Sequence, residues 1–165
     1  TEFVEKVLSY DQTLLCGLGS RDSLRLEAGL CLYGNELNQN ISPIQANLGW
    51  AIPKSRINQG GFNGHKRILN EINNGVNKKR VGVKLKSKSI LRSHMTLYDN
   101  KESKIGEITS GGFSPSLNIS IAMAYIDTKT LNEEIPINCL IRNYMEEVEI
   151  TNLPFIQHNY KRGKQ

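Results

Sequence analysis

From Lys78 onward apolar residues recur at every second position, and this period limits the fold more than any other feature of the chain. Val81, Val83 and Leu85 alternate with Arg80, Gly82, Lys84 and Lys86. Ile137, Cys139 and Ile141 alternate with Asn138 and Arg142, and Val148 and Ile150 alternate with Glu147, Glu149 and Thr151. Successive side chains on a strand point to opposite faces, so the pattern describes strands buried on one side. Lys104–Ser110 and Ser120–Ile126 also read as strands, separated by the turn-rich GGFSPSL at Gly111–Leu117. Many short strands with turns between them predict a small antiparallel barrel or sandwich of about 80 to 85 residues.

The section before Lys78 has a different period. Phe3, Val4, Val7 and Leu8 show helical spacing. After a loop at Ser9–Gly19, Ser20 or Asp22 can cap a second helix that buries Leu24, Ala28 and Cys31 and ends at Gly34. Ile44–Ile52 is a mixed apolar run with the only tryptophan, Trp50. Pro53–Gly64, rich in Gly and Asn, reads as a linker or long turn, and His65–Asn73 as one short amphipathic helix. The chain is therefore expected to be α+β, a helix-containing section followed by an antiparallel barrel. A helix that begins at the third residue also suggests a piece of something longer.

Several function classes can be set aside. No run of 18 apolar residues exists, so no helix of membrane-spanning length is expected. Cys16, Cys31 and Cys139 form no C-x-x-C pair, and His65, His94 and His158 have no ligand-like spacing, so neither a disulfide framework nor a metal site is expected. Plain buried thiols in a reducing compartment are the simpler reading. No Ser/His/Asp or Cys/His arrangement can be placed. The adjacent acids Glu133–Glu134 and Glu146–Glu147 point apart on strands and make no carboxylate dyad.

Two charged features remain. The basic run Asn77–Lys88 holds six cations and no acid, which suits either an exposed edge strand or an anion-facing surface. It has no aromatic residue for base stacking, which weighs against single-stranded nucleic acid. In RDSLRLEAG, Asp22 can pair with Arg25 at i,i+3. Arg21 opens the helix, where the dipole disfavours a cation by about 0.3–1 kcal/mol, and has no acid on its own face. It is either solvated or fixed by something distant.

The blocks LCGLGSRDSLRLEAGLCLYGNEL, ISPIQANLGWAI, GGFNGHKRIL, KRVGV, IGEITSGGFSPSL, IAMAYI and LPFIQHNY occur in order from about Cys16 to Tyr160. Together they closely resemble the C-terminal portion of the glycine cleavage system T-protein family, the aminomethyltransferases. The resemblance implies a helix-containing remnant of a folate-binding domain over residues 1–76, with a linker helix, and a jelly-roll-like C-terminal β-barrel over 77–165. It implies transfer of the aminomethyl carbon from lipoylated H-protein to tetrahydrofolate, giving 5,10-methylenetetrahydrofolate and ammonia. Tetrahydrofolate is the acceptor substrate and no metal is implied. The partners implied are the H-protein and the N-terminal part of the same protein; neither nucleic acid nor membrane is implied. The compartment implied is the cytoplasm of a bacterium or the mitochondrial matrix of a eukaryote.

The resemblance places the catalytic aspartate upstream, so no catalytic residue is expected here and the piece alone is expected to be inactive. By motif it assigns folate contacts to Arg21, Trp50 and Tyr160, and places Arg92 of LRSHM near the active-site mouth. The LGWAI and IQHNYK blocks depart from the family's usual wording, which touches substrate-side details. Two other readings are a related folate-dependent demethylase and a non-catalytic basic barrel that binds RNA or protein through Asn77–Lys88.

Overall fold

A computed structural model describes residues 1–133 and 135–161. Among the described residues five α-helices, α1 (Glu2–Leu8), α2 (Leu18–Glu27), α3 (Lys54–Gln59), α4 (His65–Asn74) and α5 (Thr128–Glu133), accompany six strands. The strands are β1 (Lys78–Leu85), β2 (Thr96–Tyr98), β3 (Lys104–Ser114), β4 (Ile119–Asp127), β5 (Ile137–Ile141) and β6 (Tyr144–Thr151). They close an antiparallel barrel in the order β1-β4-β3-β2-β5-β6, with β6 returning to β1. The α+β class and the barrel are as the periodicity predicted.

Closure corrects one expectation. β1 carries the basic run and pairs with β4 on one side and β6 on the other, so it is not an edge strand. Lysines on it do not guard an open edge.

Val83, Leu85, Leu97, Ile108, Ala122, Ala124, Ile126 and Cys139 fill the barrel interior. The Cys139 thiol is pushed up to about 11, by burial first and the Glu146 charge second. β4 lacks polar alternation because both its faces are covered. Its outward residues Ile121 and Met123 meet Leu26 of α2, with Leu153 and Phe155 of the C-terminal segment packed alongside. Burial of this satellite cluster, at roughly 25 cal/mol per Å² of apolar area, fastens α2 to the barrel wall. Gly111 allows another close approach: a Cβ there would lie 2.7 Å from the Leu91 carbonyl oxygen.

The second helix differs from its expected form. Gly17 precedes its first turn, Ser20 Oγ donates back to the Gly17 carbonyl, and neither Ser20 nor Asp22 caps the free amides. Leu24 is 65% exposed, and Cys31 lies beyond the helix. The end comes at Gly29, not Gly34. Gly29 is left-handed (φ 66°), its N–H donates to Leu26 O at 2.9 Å, and the Leu30 N–H donates to Arg25 O at 2.8 Å. That pair of bonds is the Schellman arrangement. The Pro53–Gly64 linker also contains a helix, α3. Of the acid pairs, Glu134 falls outside the described residues, while Glu146 accepts from Ser87 and Ser89 as Glu147 faces solvent.

Candidate functional site

The two most specific sequence blocks, RDSLRLEAG and ITSGGFSPSL, meet in space through buried charges. Arg25 donates from Nε (2.8 Å) and Nη2 (2.6 Å) to Asp22, so the expected i,i+3 pair forms. Its Nη1 also reaches Glu36 at 3.0 Å, and Nη2 reaches Ser110 Oγ at 2.9 Å. Glu36 is wholly buried. It accepts further bonds from the Leu32 N–H at 2.9 Å and Thr109 Oγ1 at 2.5 Å, while Tyr125 Oη donates to its main-chain carbonyl at 2.8 Å. A bulge in β3 supplies these contacts: Ile108 pairs with Ala124 and Ser110 with Met123, so Thr109 is the extra residue. Such a bulge re-aims side chains, here placing Thr109 and Ser110 against α2 and Glu36. Burial pushes the neighbouring Tyr125 phenol up.

A second buried carboxylate forms the other half of the joint. Glu27 accepts from Ser114 Oγ (2.5 Å), the Ser116 N–H (3.1 Å) and Ser116 Oγ (2.9 Å). Its main-chain carbonyl receives the N–H groups of Phe155 and Ile156, both at 3.1 Å. One residue thus ties the end of α2 to the β3–β4 turn and to the LPFIQHNY segment. Burial pushes the Glu27 carboxyl up, but the bonds from Ser114 and Ser116 outweigh it and hold the group below its ordinary value.

These joints frame a cleft of about 340 Å³ lined by Ala28–Cys31, Asn47, Leu48, Trp50, Arg80, Leu153, Pro154 and His158. Trp50 is 82% exposed on a 3-10 turn at Gly49–Ala51. The His158 Nε2–H donates to the Ala28 carbonyl at 2.9 Å, and its ring lies 4.8 Å from that of Tyr160. Donation to a carbonyl fixes the proton on Nε2 of the neutral ring. The cleft can therefore offer the flat Trp50 face, the His158 ring and several polar groups to a ring-shaped ligand.

The structure brings Trp50 and the Tyr160 segment to one cleft. Arg21 does not line it; seven residues before Ala28, it lies about 10 Å away along the same helix. Arg21 is exposed and makes no hydrogen bond or ion pair with the described residues. Arg92 lines a different groove with Lys88, Ser89, Ile90, Met95 and Arg142, and a Cβ on Gly111 would come 3.1 Å from its main-chain nitrogen. Of the three thiols, only Cys139 is fully buried; Cys31 is half-buried and Cys16 exposed, against the expectation for all three. Sequence reasoning missed Glu27, Glu36 and His158, and treated Arg80 as part of an exposed run although it is 5% exposed.

The chain matches the model of the glycine cleavage T-protein C-terminal barrel domain over residues 78–157 and that of the GCVT N-terminal domain over residues 4–56. It is 47% identical over 146 residues to the mitochondrial aminomethyltransferase of Mesembryanthemum crystallinum, covering 88% of this chain and 36% of that protein. The probable mitochondrial aminomethyltransferase of Schizosaccharomyces pombe is 36% identical over 159 residues, 96% of this chain and 41% of that one. A crystal structure of the glycine cleavage system aminomethyltransferase T from Bartonella henselae superposes with a TM-score of 0.90 at 36% identity, over 98% of this chain and 45% of that one. The chain thus spans less than half the length of each of these relatives.

Proposed function

The chain belongs to the glycine cleavage T-protein family, matching its C-terminal portion, and on that premise we propose that it forms part of the folate-facing surface of an aminomethyltransferase. The reaction is transfer of the aminomethyl carbon from lipoylated H-protein to tetrahydrofolate, yielding 5,10-methylenetetrahydrofolate and ammonia. In this reading residues 1–76 complete a folate-binding region and 77–165 form the barrel that supports it. The H-protein and the family's N-terminal portion are the partners. The compartment is the mitochondrial matrix in a eukaryote and the cytoplasm in a bacterium.

The observation that carries the proposal is the exposed Trp50 ring at a cleft that His158, the ring neighbour of Tyr160, also lines. A pterin or benzoyl ring stacks on such a surface. Among the described residues Arg21 has no side-chain partner that would withdraw it from a ligand, and its guanidinium offers a fork of donors to electron-rich or anionic groups. Arg92 is proposed for the mouth on the family resemblance alone, since it lines a groove apart from the Trp50 cleft. Attack of a folate nitrogen on an iminium-like carbon needs positioning and charge stabilisation more than a protein nucleophile. This chain's part is to bind and orient. The catalytic aspartate belongs to the upstream portion, and the chain alone transfers no aminomethyl group.

Arg21→Ala and Tyr160→Phe are each expected to weaken tetrahydrofolate binding, Arg21→Ala by about tenfold, the loss of one charge-assisted contact. Equilibrium dialysis with the variants measures it. Wild-type affinity in both would remove these residues from the site.

A further inference from the structure

Arg80 is a buried cation with no acid to balance it. Its Nε donates to Ala46 O at 2.8 Å, and its Nη1 to Gly29 O at 2.9 Å and Met123 Sδ at 3.0 Å. No carboxylate of the described residues lies within ion-pair distance of it. The nearby Cys31 thiol and Tyr125 phenol are both pushed up by burial and stay protonated at neutral pH, so neither supplies a negative charge. Glu36 is already committed to Arg25. A buried charge without a counter-charge is costly, and proteins keep one where something else neutralises it.

Nη2 of Arg80 makes no hydrogen bond to the described residues. Among them, every fully buried side-chain nitrogen and oxygen has a partner, so Nη2 must reach the surface. Besides the Trp50 cleft, Arg80 lines a second, larger cleft of about 580 Å³ between the start of β1, α5 and the end of β6. Lys79 lines it too, with Asn47, Asn74, Asn132 and Asn152, and among the described residues no Asp or Glu does. Glu71 lies in an adjoining groove, which Lys79 also lines, and is held by Arg67 and Ser42. Asp127 faces Lys78 instead, at 3.9 Å.

We propose that this second cleft is a binding site for a small dianion, a phosphomonoester or a dicarboxylate, received by Arg80 Nη2 and Lys79 Nζ and flanked by asparagine amides. Two cations and no acid match a charge of minus two. With Nε and Nη1 occupied by main-chain carbonyls, Arg80 donates through one nitrogen, so the grip is monodentate and Lys79 supplies the second point. The site lies entirely on this chain and does not depend on the folate reading.

Calorimetric titration of the chain with inorganic phosphate and, separately, with glutarate tests it, each against sodium chloride at matched ionic strength. Saturable one-to-one binding is expected, weakened about tenfold by Lys79→Gln and further by Arg80→Gln. Response to phosphate alone assigns a phosphomonoester, and response to glutarate alone assigns a dicarboxylate. Arg80 is buried, so Arg80→Gln can fail to fold; Lys79 is exposed on β1, and its variant then decides. Heats indistinguishable from those of chloride, or binding that Lys79→Gln leaves unchanged, overturn the proposal.

Discussion

Replacing Glu36 with alanine is expected to lower the free energy of unfolding by about 3–5 kcal/mol, the range for removing one partner of a buried ion pair. The expected loss is large because of what remains. Arg25, whose side chain is 10% exposed, keeps only Asp22 and Ser110 as partners. The half-buried Leu32 N–H loses its acceptor, and Thr109 Oγ1 keeps only the Met123 carbonyl at 3.1 Å. Domains of this size are stable by about 5–15 kcal/mol, so the variant should be near the edge of folding. Urea denaturation followed by circular dichroism measures the difference. Glu36→Gln keeps the shape and one acceptor, so its loss should be smaller; equal loss in both would assign the effect to charge alone, and no loss in either would remove Glu36 from the joint.

The second large effect is expected at Glu27, and it depends on pH. Its folded carboxyl titrates below the ordinary 4.5, so as pH falls the unfolded chain takes up the proton first. The stabilisation is complete above 4.5 and is lost as pH drops through the lower folded value. Protonation puts a hydrogen where Ser114 and Ser116 donate, freeing the β3–β4 turn. Acid unfolding monitored between neutral pH and about pH 2, spanning the glutamate range, should be shallower in Glu27→Gln than in wild type. At neutral pH Glu27→Ala should cost about 1–3 kcal/mol, since it leaves the buried Ser114 hydroxyl without its acceptor. Glu107 and Glu146 are also held low, Glu107 first by Lys104 and Glu146 first by Ser87. Glu107 is far more exposed than Glu27, so its share is reduced by solvent screening. An acid limb unchanged in Glu27→Gln would contradict the assignment.

The barrel could be read from the sequence because a period of two has a direct geometric cause. Its shortest strand, β2, has three residues and shifts register at Leu97/Tyr98, too short and irregular to show the period. The end of α2 was misplaced because Gly29 and Gly34 are both left-handed glycines, and local sequence does not say which one packs. At Gly29 a Cβ would lie 3.1 Å from the Leu153 Cβ, a contact 124 positions away in the chain. Tertiary packing made that choice. The missing partner of Arg21 was foreseeable, because an acid on the same helical face is a local property. Glu27, Glu36 and Arg80 were not, since a charged residue in a helix or a basic run reads as solvated until the elements that bury it are placed. The only prior signal was that Glu27 belongs to the RDSLRLEAG block, whose specificity now has a physical basis: three separate blocks converge on that residue.

Trp50 is the chain's only tryptophan, so its emission reports on the proposed folate surface. Titrating the chain with tetrahydrofolate should quench that emission along a saturable curve, and Arg21→Ala should move the midpoint to higher concentration. Quenching that only tracks the absorbance of added tetrahydrofolate, as with free tryptophan amide in the same buffer, would contradict a folate site at Trp50.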